Sequence, residues 1–533
     1  MNTSQSHTCV HHQPQRKVLR TRCAAALYLS ALLWFSLGCL NVDSGWSWNA
    51  APGQDTFLGD EPHFDEDNTN FGSGVPGKCD WTGAVAVDPT TNTTFVQQTV
   101  VDVPCAHIRN MDDTIYTTRR TLFAIPPDSP MAVMVLDTSD TTHLRLAFGQ
   151  ERIVLAGKKN GAEQLTYLDR HNFKVLAQHR LTHQSGAPQT SPSGRYVLLK
   201  PMIIAGPAYL IDTQSMTETH IFNKYGALEA SWSPVEDRLI VVHSTTANHR
   251  GVEVQSWDME EHHAGHQGLP DFDQQPSTQV ELRGLWNNVV LDYTTMRIRP
   301  DGQEVALYLY SERGELVLVR INPNNGHFQT HTDVLREMLR YSSDNTHLVT
   351  QNVDGQLMII NTRNNSVRIP MQDPSAHDLL YITADGTRAL STSPNGKVLQ
   401  ITELDSGRVD TIALTHNGAL KQLVEIEARS EIWSVGGAMG VFHLEDAKLE
   451  TFTMGWHPEH INYLPGQDLM VLDDRQKNRL IFLDPTTKAI VREVTLPLDG
   501  IQRYPLGSEA DIERTTDARP QTFTKPETRP RRF

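Results

Sequence analysis

The chain lacks an excess of positive charge: 47 Lys and Arg stand against 63 Asp and Glu in 533 residues, a formal charge of −16. A surface of that sign repels a phosphate backbone, so bulk nucleic-acid binding is excluded. The glycine and proline surplus of collagen-like or wholly disordered chains is also missing, with 34 Gly and 29 Pro. There is no G-x-S-x-G nucleophile elbow, no Walker loop for phosphates and no dinucleotide-binding glycine pattern after a strand-like run. Cys105-Ala-His107 lacks the C-x-x-C-H spacing of attached haem. No long window carries a helical period. The common motif-defined enzyme classes are thereby removed, and no catalytic or cofactor-binding residue is nominated.

The first distinctive segment is N-terminal. Arg16, Lys17, Arg20 and Arg22 precede an uncharged stretch from Cys23 to Gly38, the charged-then-apolar order of a secretory signal. Its apolar run of about 15 residues falls short of the roughly 20 that span hydrocarbon, which favours export over a permanent transmembrane helix. Phe35-Ser36-Leu37-Gly38-Cys39 resembles the lipobox of bacterial lipoproteins, although Ser36 stands where that class usually carries Leu. The resemblance implies cleavage of residues 1–38, lipidation of Cys39 and a membrane anchor. Leu40 and Asn41 match the outer-membrane sorting state of such proteins, facing the periplasm or the cell surface. Ordinary secretion is the alternative. With Cys39 lipidated, Cys79 and Cys105 form the one remaining intramolecular pair, in a compartment where disulfides persist. Such a bond closes a loop of about 27 residues and contributes about 3 kcal/mol in the chain-entropy picture. Two free thiols are the competing reading.

Residues 39–78 are rich in Asp, Asn, Gly and Ser and read as a disordered acidic tether. Asp65, Asp67 and Thr69 alternate as in a calcium loop, but the Gly at the sixth place and the Glu at the twelfth are absent, so a solvated linker is the better account. Residues 79–130 read as an N-terminal β segment, 131–498 as the main domain, and 499–533, charged and punctuated by proline, as a disordered tail.

The main domain repeats. A turn with Pro, Asp or Gly, followed by an apolar strand, recurs with strand starts at Ile153, Val197, Leu239, Val305, Leu348, Ala389, Ile432 and Leu469. A second strand closes on Asp169, Asp212, Asp258, Asn322, Asn361, Asp405, Glu445 and Asp484. Both rulers step by about 42 residues and both show one long step, which places a single insertion at 258–288. The recurrent Asp or Asn fits a hairpin turn, where its side chain accepts backbone N–H bonds from two residues on. A period near 40 with three to four strands per unit predicts a β-propeller, because one small sheet cannot bury both of its faces alone. Units such as Ser191-Pro-Ser-Gly-Arg-Tyr-Val and Thr383-Ala-Asp-Gly-Thr-Arg-Ala resemble bacterial YVTN-type and WD-like repeats. That resemblance implies an all-β propeller; the count of eight units makes eight blades the expectation, with seven as the alternative. The strands near 84–91 and 131–148 either form a further blade or complete the last sheet and close the ring. The matched positions are structural, so the family supplies no catalytic residue.

The insertion carries His262 and His266, four apart, with Asp271 as a third metal ligand if the loop were helical there. No H-E-x-x-H accompanies them, and a solvated loop competes. The reading that emerges is a membrane-anchored module that binds or assembles an envelope protein or polymer through one rim and the 258–290 loop. An enzyme with an axial-channel site, of lyase or lactonase type and assisted by a divalent metal, is the alternative.

Overall fold

The computed structural model describes Thr56–Phe57 and, within 79–497, all residues except 102–117, 160–161, 183–184, 202–207, 222–226, 246–249, 261–275, 287–295, 312, 371–378, 393–397, 414–421, 436–438, 447, 453, 455, 457, 459 and 475–476. Strands of mostly four to nine residues pair antiparallel in units of four, at 79–137, 141–180, 185–221, 227–286, 296–331, 334–368, 379–413, 422–452 and 461–495. We number these blades 1 to 9. First strands of neighbouring blades approach one another around the axis, while fourth strands, such as Val175–Arg180, alternate half-buried and exposed at the rim.

Nine blades require nine seams, and the apolar side chains divide into that number of clusters. Each lies between two consecutive blades, from blade 1 against 2 through to blade 9 against 1. A sheet packed on both faces needs apolar residues at consecutive positions rather than alternate ones. The second strands meet that need, with Ile153 to Ala156, Val197 to Leu199 and Val305 to Leu309 all buried.

The architecture is therefore a β-propeller, but of nine blades, not the eight or seven expected. The eight apolar strands counted in the sequence are the second strands of blades 2 to 9. Blade 1 escaped the rulers for a local reason. Its Asp88-Pro89-Thr90-Thr91 repeats Asp484-Pro485-Thr486-Thr487 of blade 9, yet Asp88 lies in the first-to-second strand connection of its blade and Asp484 in the third-to-fourth. The connection 102–117 then separates its second and third strands and breaks the period. Nor do the N-terminal strands complete the last sheet. Blades 1 and 9 are each continuous in sequence, and the ring closes face to face through Phe123, Ile125, Phe482 and Val494. Asn462 Nδ2 donates to Val85 O across this seam at 3.1 Å, and Arg492 Nη1 to Ser129 O at 2.9 Å.

The single insertion resolves into two. Residues 259–277 separate the third and fourth strands of blade 4, and 287–295 separate that fourth strand from blade 5. Leu285 and Trp286 then pair with Ser311 and Tyr310, so the end of blade 4 supplies part of the first-strand edge of blade 5 and fuses the two sheets.

The turns between first and second strands of blades 3, 6 and 7 share one design. A hydroxyl at the first position accepts from the N–H five residues on, as Ser191 does from Tyr196, Ser342 from His347 and Thr383 from Arg388. The chain then needs a left-handed residue, supplied by Gly194, Asn345 and Gly386. At Gly386 (φ 72°) an added Cβ would lie 2.9 Å from Ser343 Oγ and 3.0 Å from Asp344 N. Gly386→Ala is expected to lower stability by about 1–3 kcal/mol through strain and crowding, measured by urea unfolding.

Candidate functional site at the loop face

Chain direction gives the ring two unlike mouths. One, the turn face, carries the first-to-second and third-to-fourth strand connections. The other, the loop face, carries the second-to-third connections and the links between blades.

The turn face is closed by its own hydrogen bonds. Asp169, Asp212, Asn322, Asn361 and Asp484 each accept backbone N–H bonds from residues two and three positions on, the hairpin role read from the sequence. Asp405 and Glu445 do not hold that place. In blade 7 it belongs to Glu403, whose N–H meets Arg408 O across the turn. Leu444 N bonds to Ser430 O as Leu404 N bonds to Thr387 O, which assigns the same place to His443 in blade 8. Between blades, turn-face side chains staple neighbour to neighbour: Ser193 N donates to Asp237 Oδ1 at 3.0 Å, Asp301 N to Asn345 Oδ1 at 3.0 Å and Arg429 Nη2 to Asp468 Oδ2 at 2.5 Å. The strongest staple is Arg170. Its Nε donates to Asp88 Oδ2 at 2.7 Å and its Nη1 to Gly149 O at 2.6 Å, with both side chains buried.

The loop face is different from the second strand inward. Several second strands change character along their length, apolar at the turn-face end and polar at the loop-face end, while staying buried throughout. Blade 1 reads Phe95 and Val96, then Gln97, Gln98 and Thr99; blade 4 passes from Val242 to His243 and Ser244; blade 6 from Val349 to Thr350, Gln351 and Asn352; blade 9 from Leu472 to Asp473 and Asp474. Buried polar groups need partners, and several pair with one another. His243 Nε2 lies 3.1 Å from Glu253 Oε1, which also accepts from Gln255 Nε2 at 2.6 Å. Burial alone would raise the Glu253 carboxyl, but hydrogen bonds from His243, Gln279 and Gln255 outweigh it and hold the group below its ordinary value. In blade 9, His460 N and Nδ1 meet the two carboxylate oxygens of Asp473 at 2.8 and 3.1 Å. Arg145 pairs with Glu163 in blade 2, and Lys200 of blade 3 reaches Glu229 of blade 4 at 3.6 Å.

Blades 5 to 7 carry the least settled part of this layer. Nearer the turn face, Arg340 on the first strand of blade 6, across the ladder from Val349, has its pKa lowered to about 10 by burial and then by the like charge of Arg297 on the first strand of blade 5. The seam between blades 6 and 7 has the smallest apolar cluster of the nine, built on Val349, Ile359 and Ala389. Ser391 and Gln400 face each other in the ladder at this seam, 3% and 1% exposed, and among the described residues Ser391 Oγ and Gln400 Oε1 have no hydrogen-bond partner. Groups of this kind suit an oriented polar contact rather than a dry core. Composition cannot reveal them, because one buried Ser or Gln looks like any other until the strand is placed.

The residues singled out from sequence fall elsewhere. Cys39, Cys105, His262, His266 and Asp271 lie outside the described residues, as does the side chain of Cys79, which opens blade 1. Only the base of the histidine loop is described. Asp258 N donates to Ser277 Oγ at 3.0 Å, which fixes the loop's exit on the turn face between the third and fourth strands. The loop thus leaves from the mouth opposite the polar layer. Among the described residues no group of three or more His, Cys, Asp or Glu is arranged to hold a metal ion, and no helix is long and apolar enough to cross a membrane.

Nine four-stranded blades around an axis, with nine apolar seams, define the class as a β-propeller. No protein-family model and no curated protein matches the chain. Among solved structures, Sqt1 from Chaetomium thermophilum is similar at 16% identity over 70% of this chain and 97% of that one, with a TM-score of 0.43. A eukaryotic initiation factor shares 12% identity over 68% and 93%, TM-score 0.47. The dihydro-heme d1 dehydrogenase NirN in complex with DHE shares 14% over 62% and 70%, TM-score 0.39. At these identities the likeness carries no function across.

Proposed function

We propose that the chain is a lipid-anchored binding or assembly module of the bacterial cell envelope, which holds a protein or polymer partner on its loop face. The observation that supports this reading is the contrast between the two mouths. Apart from the 259–277 insertion, turn-face side chains are committed to hairpins and to neighbouring blades, whereas the loop face joins a buried polar layer to long connections that include 102–117, 287–295, 371–378 and 414–421. Connections carried on a rigid scaffold are where binding residues concentrate. The role first given to the whole 258–290 insertion therefore narrows to 287–295, the part that leaves from the loop face.

The anchor belongs to the same proposal and rests on Cys39 in its lipobox-like setting. The protein should take up an alkyne-labelled fatty acid in a bacterial host, and Cys39→Ala should abolish both the label and membrane association. Cross-linking in intact membranes should capture a partner that is lost when 371–378 and 414–421 are replaced by Gly-Ser linkers, and retained when Arg363 and Asn364 on the turn face become Ala. Loss from both faces alike, or turnover of a small substrate by a chain with no partner, would overturn the reading.

A further inference from the structure

We propose that the inner edge of blade 2 is a strand-acceptor site in the axial channel, and that the chain's own segment at Thr56–Phe57 is its resident ligand, running from the turn face towards the loop face. Thr56 pairs with Leu146 and Phe57 with Arg145, antiparallel, on the first strand of blade 2. The pairing is on the edge away from the second strand, which makes this blade a five-stranded sheet. The segment also neighbours the first strands of blades 1 and 3. Among the described residues no other blade has a strand added at this inner edge.

A first strand bonded on one side presents a row of unpaired N–H and C=O groups on the other, the usual template for an extended peptide. Blade 2 holds that template rigid. Arg145, the partner of Phe57 in the ladder, is 4% exposed, ion-paired to Glu163, and donates from Nη1 to Gly186 O of blade 3 at 2.5 Å. The acceptor strand is thereby tied to both its own blade and the next. Direction follows from topology. The first strand runs from the loop face at Thr141 to the turn face at Phe148, so an antiparallel partner runs the other way. Blade 1 then starts from the loop face at Cys79, on the side towards which this segment points.

Combined with the anchored reading, this sets an orientation. Cys39 precedes Thr56 by 17 residues, a reach of at most about 60 Å. The membrane then lies on the turn-face side and the loop face points away from it. That orientation rests on the proposed anchor; the acceptor site does not.

The test is hydrogen exchange on the full-length chain. Thr56→Pro with Phe57→Pro removes the donors of the added strand without touching a blade. Exchange across 144–147 should rise at least tenfold, with blades 5 to 8 unchanged as the control for folding. A synthetic peptide of residues 51–62 should restore protection saturably in the doubly substituted chain, and a scrambled peptide should not. Unchanged exchange in the substituted chain sinks the seated segment, and failure of the peptide to restore protection sinks the acceptor site. Neither readout depends on Cys39 or on a loop-face partner, so this proposal and the anchored module stand or fall separately.

Discussion

Arg170→Ala is expected to lower the stability of the ring by about 3–5 kcal/mol, because it strands the Asp88 carboxylate in a site with no exposure. The guanidinium binds both Asp88 oxygens and the carbonyls of Gly149 and Gln150, so one substitution loosens the blade 1 to blade 2 joint on the turn face. The same pair predicts an acid limit. Burial by itself would raise the Asp88 pKa, but hydrogen bonds from Arg170, Thr90 and Thr91 outweigh it, so the folded value lies below the ordinary 3.8. A carboxyl with a depressed folded pKa stabilises in full above its unfolded pKa, and that contribution is lost as pH falls through the folded value. Unfolding by urea at pH 7 and at a series of values below 4 should show the wild-type chain losing this increment while Arg170→Ala does not. Equal acid sensitivity in both would show that the pair is not the source.

Phe482→Ala is the second large effect, about 3–5 kcal/mol, from truncating a fully buried ring in the closing seam. Phe482 packs with Phe123, Val471 and Val494 between blades 9 and 1, and the Arg492 guanidinium lies 3.8 Å from its ring centroid. No strand crosses this seam, so packing and a few polar bonds carry the whole closure. The loss should therefore be regional as well as global. Exchange of amides in blades 1 and 9 should accelerate before those of blades 4 and 5, whose sheets are fused through Leu285 and Trp286. Uniform acceleration around the ring would contradict a weak closing seam.

What the sequence made legible was whatever recurs in a fixed local frame. Val197, Leu348 and Ala389 each follow a turn whose geometry demands a hydroxyl, a left-handed residue and then a buried strand, and such demands leave a period. Blade 1 obeys the same packing rules but carries its Asp-Pro-Thr-Thr turn between its first and second strands instead of its third and fourth, and a count of turns cannot see that its seams are equivalent. The strand between 259–277 and 287–295 was missed for a related reason. Thr278 to Trp286 carries alternating polar residues at a rim, and between two long connections it reads as more of the same loop. The candidate site was the least legible part. Its residues, His243 and Glu253, Ser391 and Gln400, are brought together by ladder register and blade stacking, neither of which marks a residue type.

Face-to-face closure has a consequence for how the gene could be rearranged. Where a ring shares a sheet between its ends, one blade is privileged as the start. Here the seam between blades 9 and 1 is packed face to face like the other seams apart from the fused one between blades 4 and 5, so first place in the chain is an accident of numbering. Circular permutants that join residue 497 to 79 through a short linker and open at 371–378 or 414–421 should fold to the same ring. Such permutants would also free the Thr56–Phe57 segment to be supplied as a separate peptide.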